Sequence, residues 1–182
     1  MPLSHFKSLF RPSPGRSATR ALLEVLIAAA RLPEFYLKAE VPDTLDGRFD
    51  MVALHLYVLL RRLKSEGEEG REAAQRLFDA AFANFDETLR EIGIGDLSVG
   101  KKIRKMAEAF YGRVSVYEAA QNTSEADFAD AVVRNVYRGV SVSPAAQDSL
   151  SKLTRQFRDS VESAGRDELL AGSWSYGGVV RA

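Results

Sequence analysis

Gly93-Ile94-Gly95-Asp96-Leu97-Ser98-Val99-Gly100-Lys101-Lys102-Ile103-Arg104-Lys105-Met106, running on to Phe110-Tyr111-Gly112-Arg113, decides the fold class. Upstream of it, from about Glu72, residues Phe78, Phe82, Phe85, Leu89 and Ile92 recur at the three- and four-residue spacing that lines one face of a helix. Gly93 is the expected stop, because a left-handed cap costs glycine least. Ser98 is the expected N-cap of a second helix reaching about Gln121, with Val99, Ile103, Met106, Phe110, Val114 and Tyr117 on one side. Two amphipathic helices joined by so short a turn should pack their apolar faces together. The second also opens with Lys101, Lys102, Arg104 and Lys105, so one face serves a core while the rest offers charge to a partner.

The same period extends in both directions. Ser17 or Thr19 caps a first helix through Arg31, stopped by Pro33, after which Leu32 to Tyr36 opens a short turn. Val41 to Gly47 reads as a loop, and from about Arg48 to Ser65 the residues Phe49, Val52, Leu56, Leu59, Leu60 and Leu63 form the next stripe. Glu66 to Gly70 makes a solvated turn. Thr123 or Ser124 starts a fifth helix with Phe128, Val132 and Val136 inward. Ser143-Pro144 supplies the N-cap and first-turn proline of a sixth, carrying Leu150, Leu153, Phe157 and Val161. A short piece from Asp167 to Ala171 follows. Strand alternation and internal repeats are absent. The expectation is an all-α fold, an irregular bundle of about six helices forming one domain over 19–171, between a flexible basic arm at 1–18 and a flexible tail at 172–182.

A chain of 182 residues suits one such domain, burying about 70% of its unfolded surface. Its 25 basic and 25 acidic side chains cancel, so no whole-molecule field holds it on nucleic acid or lipid, and electrostatic recognition must be local. Cysteine is absent, which removes disulfides, thiolate metal sites and cysteine nucleophiles together. The arm holds Lys7, Arg11, Arg16 and Arg20 without an acid, but Pro12, Pro14 and Gly15 interrupt where a secretory signal needs a continuous apolar stretch. The most apolar run, Ala21 to Leu32, includes Glu24 and falls short of the roughly 20 residues that cross a bilayer.

Readings as an enzyme are weak. Gly95 to Lys101 fits G-x-x-x-x-G-K, yet Lys102 stands where the magnesium-binding hydroxyl belongs and a helix precedes the motif where a strand is required. His55 lies on an amphipathic helix with no second histidine at ligand spacing, which favours a packing role over a metal site. Asp46, Asp50, Asp86 and Asp96 are expected in helix caps and surface pairs, and no G-x-S-x-G nucleophile elbow occurs. A small hydrolase would need His55 joined to a carboxylate in a polar pocket. The expectation is no catalysis, no metal and no cofactor. The cations Lys101, Lys102, Arg104, Lys105 and Arg113 form either a solvated face or a docking face for protein or membrane; RNA is disfavoured because Phe110 and Tyr117 fall on the apolar stripe instead of between the cations.

Several ordered blocks carry a resemblance. Asp46-Gly47-Arg48-Phe49-Asp50, Leu54-His55-Leu56, Leu60-Arg61-Arg62-Leu63, Leu77-Phe78-Asp79 and Asp86-Glu87-Thr88-Leu89-Arg90-Glu91, with the Gly93 to Lys102 stretch and Met106 to Arg113, resemble the ubiquinol-cytochrome c chaperone family over about Leu32 to Ala120. The resemblance implies a helical, non-catalytic chaperone that binds newly made, membrane-inserted cytochrome b while the cytochrome bc1 complex is built. A small helper protein is a further partner known for the mitochondrial members. It also implies work at the inner, cytoplasmic face of a membrane in a bacterium, or inside the mitochondrion in a eukaryote. The arm carries no convincing organelle presequence, which favours the bacterial setting. Aromatic residues and arginine dominate binding hot spots, making Arg48, Phe49, Tyr111 and Arg113 candidate partner contacts beside Lys101, Lys102, Arg104 and Lys105. Phe49 is equally credible as core. The other reading is a peripheral membrane or RNA-binding adaptor that uses the basic helix face.

Overall fold

The computed structural model describes residues 14–177, which are 80% helical and contain no strand. Six longer helices match the six expected from the apolar period: α1 (Pro14–Ala30), α3 (Leu45–Lys64), α4 (Gly67–Glu91), α5 (Asp96–Gln121), α6 (Glu125–Tyr137) and α7 (Pro144–Ser163). Two short pieces, α2 (Pro33–Leu37) and α8 (Arg166–Ala171), complete the order.

α3 is the axis of the bundle. It packs against α1, α4, α5, α6 and α7, and every residue from Phe49 to Leu60 is buried, Asp50 and His55 included. The run Met51-Val52-Ala53-Leu54-His55-Leu56-Tyr57-Val58-Leu59-Leu60 is apolar on all sides but for its histidine, and a helix of that kind belongs in a core. A stripe was expected here; the whole circumference is covered. Thr44 starts the helix, its hydroxyl accepting from the Gly47 amide at 3.1 Å. Gly47 is needed for a second reason, since a Cβ there would stand 2.0 Å from the Pro42 carbonyl oxygen, where the preceding loop crosses the helix.

Local chemistry explains most of the other boundaries. Ser124 and Ser143 cap α6 and α7 through the amides of Asp127 and Ala146, and Pro144 fills the first turn of α7. Gly93 takes the left-handed conformation expected of it, at φ 87°. α5, however, begins at Asp96, before the predicted Ser98 cap. Gly95 occupies the N-cap position and Asp96 joins the first turn, where its carboxylate pairs with Arg90 at the end of α4.

The ends also differ from expectation. α1 begins at Pro14 and so takes in 14–18 from the expected arm, while 1–13 lie outside the described residues. Within the expected tail, Trp174 and Tyr176 are buried with their rings on Phe157 at centroid distances of 5.9 and 5.1 Å. Two large aromatic side chains supply enough apolar area to hold so short a segment on α7. Residues 178–182 lie outside the described part.

Candidate functional site

An apolar cleft opens where α1, α3, α4 and α5 meet. Ile27 comes from α1, Leu45, Phe49 and Val52 from α3, Phe85 and Leu89 from α4, Ile92 from its C-cap, and Met106 from α5, enclosing about 380 Å³. Phe49 forms the floor, its ring 5.3 Å from Phe85 and beneath the Arg113 guanidinium at 5.4 Å. Phe85 and Met106 stay partly exposed, and Ile92 and Leu45 are exposed at the mouth. In the last turns of α4 and the first turns of α5, Phe85, Ile92 and Met106 are left partly uncovered by the described residues, which keeps the cleft open.

The rim is polar and carries positive charge. Arg31 projects from the end of α1, and Arg48 forks onto Asp43 with Nε–Oδ1 2.6 Å and Nη2–Oδ2 3.1 Å. That fork holds the Asp43 carboxyl below its ordinary value and raises Arg48. Arg31 has no ion pair among the described residues, so the rim keeps one uncompensated cation.

Next to Phe49 in the chain, the buried Asp50 centres an ionic cluster that reaches the surface at Asp46. Asp50 accepts from Arg113 at 2.5 Å and from Arg138 at 2.6 and 3.1 Å, and Arg138 also reaches Asp46 at 2.8 Å. Burial pushes the Asp50 carboxyl upward, while the two guanidiniums oppose that shift and favour its charged form. The cluster ties α3 to α5 and to the left-handed end of α6, where Arg138 sits at φ 52°. It fixes α3 against α5, two of the four helices that form the cleft, and none of its four residues lines the cleft.

These positions sort the residues expected to meet a partner. Arg48 and Phe49 line the cleft, on rim and floor. Lys101, Lys102, Arg104 and Lys105 are exposed on α5 and make no ion pair among the described residues. Tyr111 is 59% exposed on the other flank of α5, in a separate recess beside Phe78 and Phe110, each 5.7 Å away. Arg113 leaves the expected basic surface: its side chain is 12% exposed and its charge is spent on Asp50. Residues not singled out from sequence complete the cleft, namely Ile27, Arg31, Leu45, Phe85, Leu89, Ile92 and Met106. Four of them, Phe85, Leu89, Ile92 and Met106, sit on helix faces that the apolar period assigns to the core. No sequence signal separates an apolar face that is covered from one that is not.

The hydrolase reading requires an acid at His55, and the structure places none there. Met51 O lies 2.7 Å from its Nδ1, the Nε2 has no partner among the described residues, and Phe35 and Phe157 flank the ring at 5.3 and 4.2 Å. Burial lowers its pKa to about 4, leaving the imidazole neutral at ordinary pH. No group of three or more His, Asp and Glu side chains among the described residues is placed to hold a metal ion. The cleft itself is lined mostly by apolar side chains and holds no histidine.

Comparison with known proteins gives the family and its relatives. The family model described as Ubiquinol-cytochrome C chaperone matches residues 37–176. The ubiquinol-cytochrome-c reductase complex assembly factor 1 of Xenopus laevis is 28% identical over 142 residues, covering 76% of this chain and 70% of the frog protein. The human protein of that name is 25% identical over 146 residues, covering 79% of this chain and 48% of its own length. The chain thus spans about half the length of the human and mouse relatives. The crystal structure of the Cbp3 homolog from Brucella abortus superimposes with a TM-score of 0.78 at 36% identity, over 98% of both chains.

Proposed function

The chain belongs to the ubiquinol-cytochrome c chaperone family, and from that membership we propose that it assists cytochrome bc1 complex assembly by holding newly made cytochrome b. Proteins of this family are non-catalytic assembly chaperones of that complex. For this chain, the supporting observation is the open cleft, apolar within and edged by Arg31 and Arg48. A newly made membrane subunit presents apolar helices joined by polar loops. An apolar side chain of such a segment seats against Phe49, Phe85 and Met106, while loop carboxylates meet the arginines. Removing apolar area from water contributes about 25 cal/mol per Å², so a few seated side chains give useful affinity without a nucleotide-driven cycle.

Holding the client this way delays wrong association until its proper partners arrive. Release needs only a partner that covers the same apolar face better, because binding is reversible and differential. The recess around Tyr111, on the other flank of α5, is our candidate surface for a small helper protein. The work is placed at the inner face of the membrane in which the client sits.

Deletion of the gene, followed by measurement of assembled bc1 complex and co-purification of cytochrome b with the tagged chain, tests the proposal. Loss of the complex together with capture of cytochrome b supports it. Normal complex levels with no cytochrome b on the tagged protein would reject it.

A further inference from the structure

The end of the α4–α5 hairpin exposes Leu97, which neither the core nor the cleft accounts for, beside Ile92 at the mouth of the cleft. Leu97 is 101% exposed, and Ile92 across the turn is 56% exposed. A single exposed leucine is ordinary on any protein surface. Here its helical phase is informative. Lys101, Arg104 and Lys105 follow Leu97 by four, seven and eight residues and so share its face of α5, opposite the buried Val99, Phe110 and Tyr117. None of the three cations has an ion pair among the described residues. Of the acids nearby, Asp96 is taken by Arg90, which Asp86 also holds, and Glu108, one turn beyond Arg104 on the same face, makes no ion pair among the described residues.

We propose that this end of the molecule docks on the surface of an anionic lipid bilayer, with Leu97 and Ile92 entering the headgroup region and Lys101, Arg104 and Lys105 meeting lipid phosphates. An apolar tip followed by a cationic face is the arrangement that binds such an interface, where burial of apolar area and attraction to negative headgroups add. A folded protein partner needs complementary shape at its contact. Leu97 lines neither recess described above and offers a partner nothing to close around, whereas a fluid interface accepts it as it stands. No helix among the described residues is long and apolar enough to cross a membrane, so the attachment lies on the surface. The inference does not depend on the client held in the cleft: vesicle binding and cytochrome b capture are separate readouts.

Flotation of the purified chain with vesicles tests it, using phosphatidylcholine alone against phosphatidylcholine containing about one third phosphatidylglycerol at low ionic strength. Binding is expected on the anionic vesicles only, weakening as salt is added. Lys101→Ser, Arg104→Ser and Lys105→Ser should each weaken it about fivefold, and Leu97→Ser about tenfold, with thermal melting unchanged because all four positions are exposed. Since the chain has no cysteine, Leu97→Cys provides a unique site for an environment-sensitive nitrobenzoxadiazole dye, whose fluorescence should rise on anionic vesicles. Absence of vesicle binding overturns the proposal, as does a dye that stays in water while the protein binds. Capture of soluble polyglutamate by the same cations, with no vesicle binding, would assign the face to an acidic polypeptide instead.

Discussion

α3 and α5 are neighbours of similar length with opposite fates. Every residue of α3 from Phe49 to Leu60 is buried, whereas α5 buries only Val99, Phe110 and Tyr117 along its 26 residues. α3 is surrounded by five helices, and α5 lies at the side of the bundle with Met106, Val114 and Tyr111 incompletely covered. Under the function proposed above, stability and recognition draw mainly on different parts of the bundle. The first rests on the sealed middle of α3, and the second on the start of α3 with apolar surface of α4 and α5 that the described residues leave partly uncovered.

The largest effect should follow from breaking the ionic cluster on the axis. Asp50→Ala leaves Arg113 buried without its carboxylate, and removing one partner of a buried pair typically costs about 3–5 kcal/mol. Urea denaturation measures the loss. Asp46→Ala, at a carboxylate 71% exposed, should cost less than about 1 kcal/mol although it faces the same Arg138. Equal losses would mean that burial does not set the strength of this cluster. Gly47→Ala comes next, since its methyl would stand 2.0 Å from the Pro42 carbonyl oxygen and force the loop away from α3 at about 1–3 kcal/mol. On α5, a Cβ at Gly100 meets nothing within 4 Å, so Gly100→Ala should instead stabilise by up to about 1 kcal/mol through helix propensity. Opposite signs at these two glycines would sharpen the contrast between the helices; matching signs would break it.

Acid should also find the axis first. His55 has a folded pKa of about 4 against about 6.5 when unfolded, so between those values the unfolded chain binds the proton that the fold excludes. Its contribution is intact above the unfolded value and is lost as pH falls toward the folded one. From about pH 8 to about pH 5 that amounts to about 2 kcal/mol. His55→Leu should remove this part of the pH dependence, read as the difference in slope between the variant and the parent chain. Identical slopes would show that the ring protonates within the fold.

The helices were legible because apolar spacing of three and four residues survives any tertiary detail. Their caps were legible at Ser124 and Ser143, where the side chain itself accepts the bond. Ser98 misled because Asp96 has a partner outside its own helix, in Arg90. The completeness of burial around α3 stood in the unbroken run from Met51 to Leu60, which the stripe of Phe49, Val52 and Leu56 obscured. Among the residues lining the cleft, Arg48 and Phe49 are the two that the sequence puts forward as partner contacts. The place of Arg113 was not legible, because its partner Asp50 lies 63 positions away and burial turns a surface cation into an internal one. Trp174 and Tyr176 were hidden for the same reason, since only the folded bundle brings Phe157 beneath them.

The smallest effect on stability should come at the mouth of the cleft, where the division of labour is tested most directly. Leu45 is 42% exposed at the start of α3 and lines the cleft, so it belongs to the axis by sequence and to the open surface by position. A half-exposed side chain contributes little to the core, and Leu45→Ser should change stability by less than about 0.5 kcal/mol. Arg31→Ser, also on the rim, should do no more. If the cleft holds the client, both variants melt like the parent chain yet carry less cytochrome b through co-purification, with the doubly substituted chain carrying least. If stability falls by as much as at Gly47, the mouth is part of the core and α3 is sealed further than its exposure suggests. If cytochrome b capture is unchanged while the fold is intact, the client sits elsewhere, and the Tyr111 recess on the far flank of α5 becomes the surface to alter next.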